Sequence, residues 1–243
     1  MGFEALATTS AGYAFANGKR DSFAALSRGE ILDNARAIVM ATDLPVSADL
    51  EDGFGPAPED CSTTIEQAIG TGLVGGSIED ATGDADAPIF NFTLAVERIM
   101  AAAEATRGKP FLLTARAENW LWGRPDLADT IARLQAFAEA GADVLYAPGL
   151  PDIDAIRTVC AEVPGPVNVV MGLRSPGYSV AELADAGVKR VSVGGSFART
   201  AFGALGRAAT EVLENGTFTY AEDAMPGAEL AALMSQERTG RIT

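Results

Sequence analysis

The feature that most limits what this chain can fold into is an alternation that runs along nearly its whole length. Short β-branched or aliphatic runs are separated by longer stretches with apolar residues at helical spacing. The runs Ala5–Thr9, Pro45–Leu50, Leu73–Ile78, Phe111–Ala115, Asp143–Ala147, Val167–Met171 and Arg190–Val193 read as strands. Between them, Ser27-Arg28-Gly29-Glu30 forms a capping box that opens an apolar-periodic run to Met40. A second helix pattern starts near Pro125-Asp126 and passes Ile131, Leu134 and Phe137 to a stop at Gly141. Ser196 to Leu213 reads as a long helix after the last strand.

Repeated strand–helix units force parallel strands joined by helical crossovers, hence an α/β fold. The length of 243 residues suits one (β/α)8 barrel of the TIM type. Seven strands are legible where such a barrel has eight, and the chain opens almost directly on a strand. The expectation is therefore a barrel lacking its first βα unit. A doubly wound open sheet is the alternative, but no glycine-rich loop follows the first strand. No interior linker is rich in Pro, Gly or Ser, so residues 1–220 read as one barrel domain. Residues 221–243 read as a tail with a short apolar helix at Ala228–Met234 and a loose polar end.

Composition removes several function classes. The chain has no histidine, which excludes Ser-His-Asp triads, Cys-His pairs, His-zinc sites and His general bases together. Acid–base work falls to Asp, Glu, Tyr, Lys, Cys or a metal-activated water. The formal charge of −15 would repel a phosphate backbone, so no nucleic-acid partner is expected. No apolar run approaches the ~18–20 residues of a membrane helix, and Met1-Gly2-Phe3-Glu4 is not expected to open a signal peptide, since no basic segment followed by a long apolar one is read there. Cys61 and Cys160 lie far apart without metal-type spacing, which suits a cytoplasmic chain with two reduced thiols.

Parallel α/β folds gather functional groups at the carboxyl ends of their strands. There the chain places Thr8-Thr9-Ser10-Ala11-Gly12, Asp49-Leu50-Glu51-Asp52-Gly53, Glu79-Asp80, Arg116-Ala117-Glu118-Asn119, and Tyr146 before Pro148-Gly149. Asp49 and Glu51 alternate at a strand end, so their side chains are expected on one side. Several carboxylates converging near one arginine call for a cation. With oxygen ligands alone that cation is Mg²⁺ or Mn²⁺.

These residues carry a resemblance to the isocitrate lyase/phosphoenolpyruvate mutase superfamily, from about Phe3 to about Leu213. "PVSADLEDGFG" is similar to the superfamily's D-x-D-x-G-[YF]-G segment, which makes Asp49 the direct Mg²⁺ ligand and Glu51 a ligand through water. "SIED" places Glu79 at the metal-site glutamate. "TARAEN" resembles A-R-[TV]-[DE]-A, making Arg116 the substrate-carboxylate arginine and Glu118 its acidic neighbour. "TTSAG" resembles the small-residue loop that cradles an α-oxo acid, through the hydroxyls of Thr9 or Ser10 and the amides of Ser10, Ala11 and Gly12. "GKRDS" places Asp21 close to metal and substrate. Tyr146 and Glu118 are the candidate proton donors.

The resemblance implies a carbon–carbon lyase or decarboxylase acting on a small 2-oxo or 2-hydroxy (di)acid through a pyruvate-like enolate. It also implies a homo-oligomer, dimer or tetramer, built with the C-terminal helix. The stretch "DATGDADAPIFNF" lacks the cysteine general acid of the superfamily's lyases and the lysine of its mutases, and Ala147 stands where the mutases have histidine. Three alternatives stay open: mutase or phosphonopyruvate-hydrolase carbon–phosphorus chemistry, a phosphate-binding barrel using "SVGGSFART", and a truncated, non-catalytic barrel.

Overall fold

The computed structural model describes residues 2–173 and 177–234, which divide into two compact units, Met1–Ala198 and Arg199–Thr243. The first unit contains β1 (Leu6–Ala7), α1 (Ser10–Ala16), α2 (Arg28–Met40), β2 (Val46–Asp49), α3 (Pro58–Ile69), β3 (Gly75–Glu79) and α4 (Phe92–Thr106). It continues through β4 (Leu112–Arg116), α5 (Leu127–Glu139), β5 (Val144–Tyr146), α6 (Ile153–Glu162), β6 (Val167–Val170), α7 (Val180–Asp185) and β7 (Arg190–Ser192) to the start of α8 (Ser196–Asn215). Each expected strand is present, within a residue or two of its expected ends.

The strands pair in chain order, all parallel, from β1 at one edge to β7 at the other. The sheet curls into a nearly closed TIM-type barrel. Arg190 on β7 reaches across its interior, donating to Ser47 Oγ on β2 at 2.7 Å and to Thr114 Oγ1 on β4 at 3.5 Å.

Local chemistry explains the helix ends. Ser27 and Glu30 form the expected capping box on α2. Asp126 caps α5 by accepting from the Asp129 amide at 3.0 Å. One segment differs from its sequence reading: Ser10, Ala11 and Gly12 form the first turn of α1, with Thr9 as N-cap. Thr9 accepts from the Gly12 amide at 3.3 Å, and small residues let that turn begin directly at the strand end.

Side chains from the outer face of the sheet and the inner faces of the helices form one apolar layer. Ile65, Ile78, Leu113, Leu134, Phe137, Leu145, Val159 and Leu183 are fully buried there. Each contributes roughly 1.5–3 kcal/mol of burial free energy. This layer holds the strand ends, and so the site, in place.

The second unit carries the rest of α8, a 3-10 turn at Thr219–Asp223 and α9 (Gly227–Leu233). Glu211 ties the helix to the turn by accepting from Thr217 Oγ1 at 2.7 Å and from the Tyr220 amide at 3.1 Å. The polar end expected after Met234 lies outside the described residues. No helix among the described residues is long and apolar enough to cross a membrane.

Candidate active site

A cleft of about 660 Å³ opens at the carboxyl ends of the strands. Thr9, Ser10, Ala11, Asp21, Asp49, Glu51, Glu79, Arg116, Glu118 and Tyr146 all line it. Gly12 does not, because it is buried behind Thr9 with its amide engaged in the cap.

Arg116 is the centre of the polar end. Its guanidinium lies 3.1 Å from Asp49 Oδ1, 2.9 Å from Glu79 Oε2 and 2.8 Å from Glu118 Oε1. The Tyr146 ring sits beneath it, 5.2 Å from Cζ to ring centroid. Strand register explains the assembly: Glu79 is opposite Arg116, and Arg116 is opposite Tyr146, so all three side chains leave the same face of the sheet. Asp49 pairs one row lower, with Ser77. Its other carboxylate oxygen accepts from the Ser10 amide at 3.2 Å and the Ser10 hydroxyl at 2.9 Å.

Glu51 reaches the cleft by a different route from the expected strand alternation. It lies beyond the end of β2 at φ 50°, in the left-handed region, as does Phe54 at φ 63°. Non-glycine residues in that region are uncommon and persist where their surroundings impose them. Here Arg98, fully buried on α4, donates to the Gly55 carbonyl at 2.6 Å and to the Asp52 carbonyl. Gly53, at φ 86°, packs so close to Cys61 that an added Cβ would fall 2.9 Å from its sulfur. The turn is thus clamped from two sides, and Glu51 with it.

The electrostatics show a surplus of buried negative charge. Burial, reinforced by Asp49, Asp52 and Asp21, pushes Glu51 up to about 7. Burial also raises Asp21, with Asp49 adding to the effect. Glu79 and Glu118 are raised by burial despite the offsetting charge of Arg116. Burial opposes the charge on Arg116, but Glu118, Glu79 and Asp49 outweigh it and lift its pKa well above the ordinary value. Burial likewise raises the Tyr146 hydroxyl, which keeps its proton.

The donor set suits an oxygen-liganded cation. Asp49, Glu51 and Glu79 face one cleft with more carboxylates than cations, and Mg²⁺ uses one or two direct carboxylates with waters completing its coordination. Among the described residues no three or more Asp, Glu or Cys side chains stand together in positions to hold a metal ion directly, so such a cation would rest on one or two carboxylates and water.

Several cleft residues were not singled out from sequence: Phe23, Leu121, Trp122, Leu150, Leu173 and Tyr178. The first rests its ring against Gly83, and the others sit on loops after β4, β5 and β6. Their position after strand ends was a usable signal, but apolar loop residues carry no chemistry to mark them. A buried support was also missed. Asp80 accepts from the Glu118 amide at 2.8 Å and from Arg133 at 3.0 Å, while Arg133 also donates to Asp129 at 2.8 Å.

The sequence profile described as phosphoenolpyruvate phosphomutase matches residues 1–213. The chain belongs to this family. A family relative, the 2-methylisocitrate lyase of Shewanella oneidensis, is 28% identical over 198 residues, 78% of this chain and 67% of the relative. A Burkholderia cenocepacia structure with a provisional lyase/mutase assignment is 56% identical with a TM-score of 0.93, over 97% of this chain and 84% of that one. The family fold also matches phosphonopyruvate hydrolase in complex with oxalate and Mg²⁺, with a TM-score of 0.82 at 24% identity, over 96% and 83% of the two chains.

Proposed function

We propose that the chain is a Mg²⁺- or Mn²⁺-dependent lyase or decarboxylase that breaks a carbon–carbon bond of a small 2-oxo or 2-hydroxy (di)acid, leaving a pyruvate-like enolate. The observation that carries this reading is the arrangement around Arg116, where one guanidinium meets Asp49, Glu79 and Glu118 from three different strand ends in one cleft. The 2-methylisocitrate lyase relative supports carbon–carbon chemistry.

Asp49, Glu51 and Glu79 would hold the cation. When bound, it supplies a Lewis acid that draws off the negative charge developing on the substrate. Arg116 presents a planar fork to the substrate carboxylate and fixes its orientation. The Ala11 amide, at the N-terminal turn of α1, adds a neutral donor where negative charge collects, beside the Ser10 amide that Asp49 engages. Asp21 lines the same cleft, where burial and Asp49 make its carboxyl hold a proton more readily than in water. Glu118 and Tyr146 are the groups placed to hold or move a proton beside Arg116, since both keep protons more readily than in water.

The test is oxalate binding by calorimetry, since oxalate imitates the planar enolate. Tight binding that needs both Mg²⁺ and Asp49, lost in Asp49→Ala, is the expected result. No binding under any condition would overturn the reading. Product analysis distinguishes the carbon–phosphorus alternative, which the family name favours, by release of phosphate or a phosphonate.

The homo-oligomer expectation also stands as a proposal. It is supported by the exposed Phe202, Leu205, Leu213 and Phe218 of the second unit. Light scattering on the full chain should give a mass well above the 25.1 kDa of one copy.

A further inference from the structure

The cleft has two chemically different sets of lining residues. The polar set holds Asp21, Asp49, Glu51, Glu79 and Glu118 with Arg116. The cleft is also lined by Leu121, Trp122, Leu150, Met171, Leu173 and Tyr178, largely apolar side chains from the segments after β4, β5 and β6. Arg116 is the one cation lining the cleft among the described residues, and three carboxylates already surround it. Neutral donors border the cleft, but they bring no countercharge for a second carboxylate. A Cβ added at Gly195 would lie 3.6 Å from Thr9 Oγ1 and from Ala11 Cβ, which places this glycine beside the α1 turn that holds Asp49. The Tyr178 hydroxyl accepts from the Ile153 amide at 3.1 Å, at the start of α6. Apolar packing continues at the rim, where a Cβ on Gly149 would meet Leu121 Cδ2 at 3.0 Å.

We infer that the substrate is a monocarboxylic 4-hydroxy-2-oxo acid whose substituent on C4 is uncharged and hydrophobic, so that breaking C3–C4 leaves its electron pair in the pyruvate-like enolate while the C4 hydroxyl gives up its proton to a cleft carboxylate and becomes the carbonyl of a neutral aldehyde or ketone. The inference rests on the enolate-site reading above and narrows it. One carboxylate is matched by Arg116 and the Ala11 amide. A second would be buried against apolar side chains in a cleft already rich in negative charge, and an unpaired buried carboxylate is strongly disfavoured. A branched or aromatic substituent instead removes apolar surface from water on both sides of the contact.

The test is a shape-matched pair. In 4-methyl-2-oxopentanoate an isopropyl group stands where oxaloacetate carries its second carboxylate. Each is titrated calorimetrically into the full chain with Mg²⁺, using fresh oxaloacetate, with oxalate as the reference ligand. The branched acid should bind at least tenfold more tightly than oxaloacetate, and Leu150→Arg should narrow or reverse that ratio while oxalate still binds. Oxalate binding with oxaloacetate equal or tighter would overturn this inference alone and leave the enolate site standing. The same series in Arg174→Ala, at a position outside the described residues, tests one further source of a second cation. Tight oxaloacetate binding that disappears in that variant also overturns the inference. Failure of oxalate itself to bind sinks the enolate-site reading, and this inference with it.

Discussion

Glu79 and Arg116 stand directly opposite each other on β3 and β4, and their side chains meet at 2.9 Å at the mouth of the barrel. The pair is not isolated, because Asp49 and Glu118 reach the same guanidinium. Removing the arginine would leave buried carboxylates without a partner.

Arg116→Ala should therefore abolish oxalate binding and also destabilise the fold by about 3–5 kcal/mol, as for other broken buried ion pairs. Urea unfolding of the metal-free protein measures this. A loss below about 1 kcal/mol, typical of exposed ion pairs, would show that the carboxylates relax into water.

The raised carboxylates make stability depend on pH in an unusual direction. Glu51 is raised from 4.5 to about 7 and Asp80 from 3.8 to about 6, both chiefly by burial. Across that window the native state binds protons that the unfolded chain has released, so stability falls as pH rises. Without divalent metal, the melting temperature should be higher at pH 5.5 than at pH 8. A melting temperature that climbs steadily over this range would contradict the burial assigned to these groups.

Asp80 acts from behind the site, joining the Glu118 amide to Arg133. Asp80→Asn should lower stability by about 1.5–3 kcal/mol through loss of charged hydrogen bonds. Because the same contact sets the position of Glu118, oxalate affinity should fall too, and calorimetry reads that second effect. An unchanged affinity would mean that Glu118 is held by Arg116 alone.

The two thiols should react very differently. Cys61 is fully buried on α3, and burial pushes its thiol up to about 11, whereas Cys160 is half-buried. At pH 8, well below 11, Cys61 stays protonated and shielded. Iodoacetamide followed by peptide mass mapping should label Cys160 first, with Cys61 labelled only on unfolding. Early labelling of Cys61 would show that the turn above it opens in the native state.

Much of the architecture was legible before any coordinates. Strand and helix periods, the Ser27–Glu30 capping box and the acidic residues after strand ends are local patterns. Local patterns survive because backbone geometry repeats every few residues. The position of Asp49, Glu79, Arg116 and Tyr146 at strand ends followed from the same alternation, and these residues do share one cleft. The α1 turn was harder to see, since Ser10-Ala11-Gly12 has the composition of a loop and becomes helical through the Thr9 cap.

Register and burial were decided only by the tertiary structure. Nothing near Glu79 in sequence says that it faces Arg116, because strand pairing joins residues far apart in the chain. The raised pKa of Glu51 arises from burial and from Asp49, Asp52 and Asp21 gathered around it, and Asp21 comes from a separate loop. The apolar lining of Leu121, Leu150 and Leu173 belongs to three loops that meet only when the sheet curls. The sequence by itself determined which elements form and which residues stand at their ends. The curvature and register of the sheet decided which of those residues meet, because both depend on packing summed over the whole core.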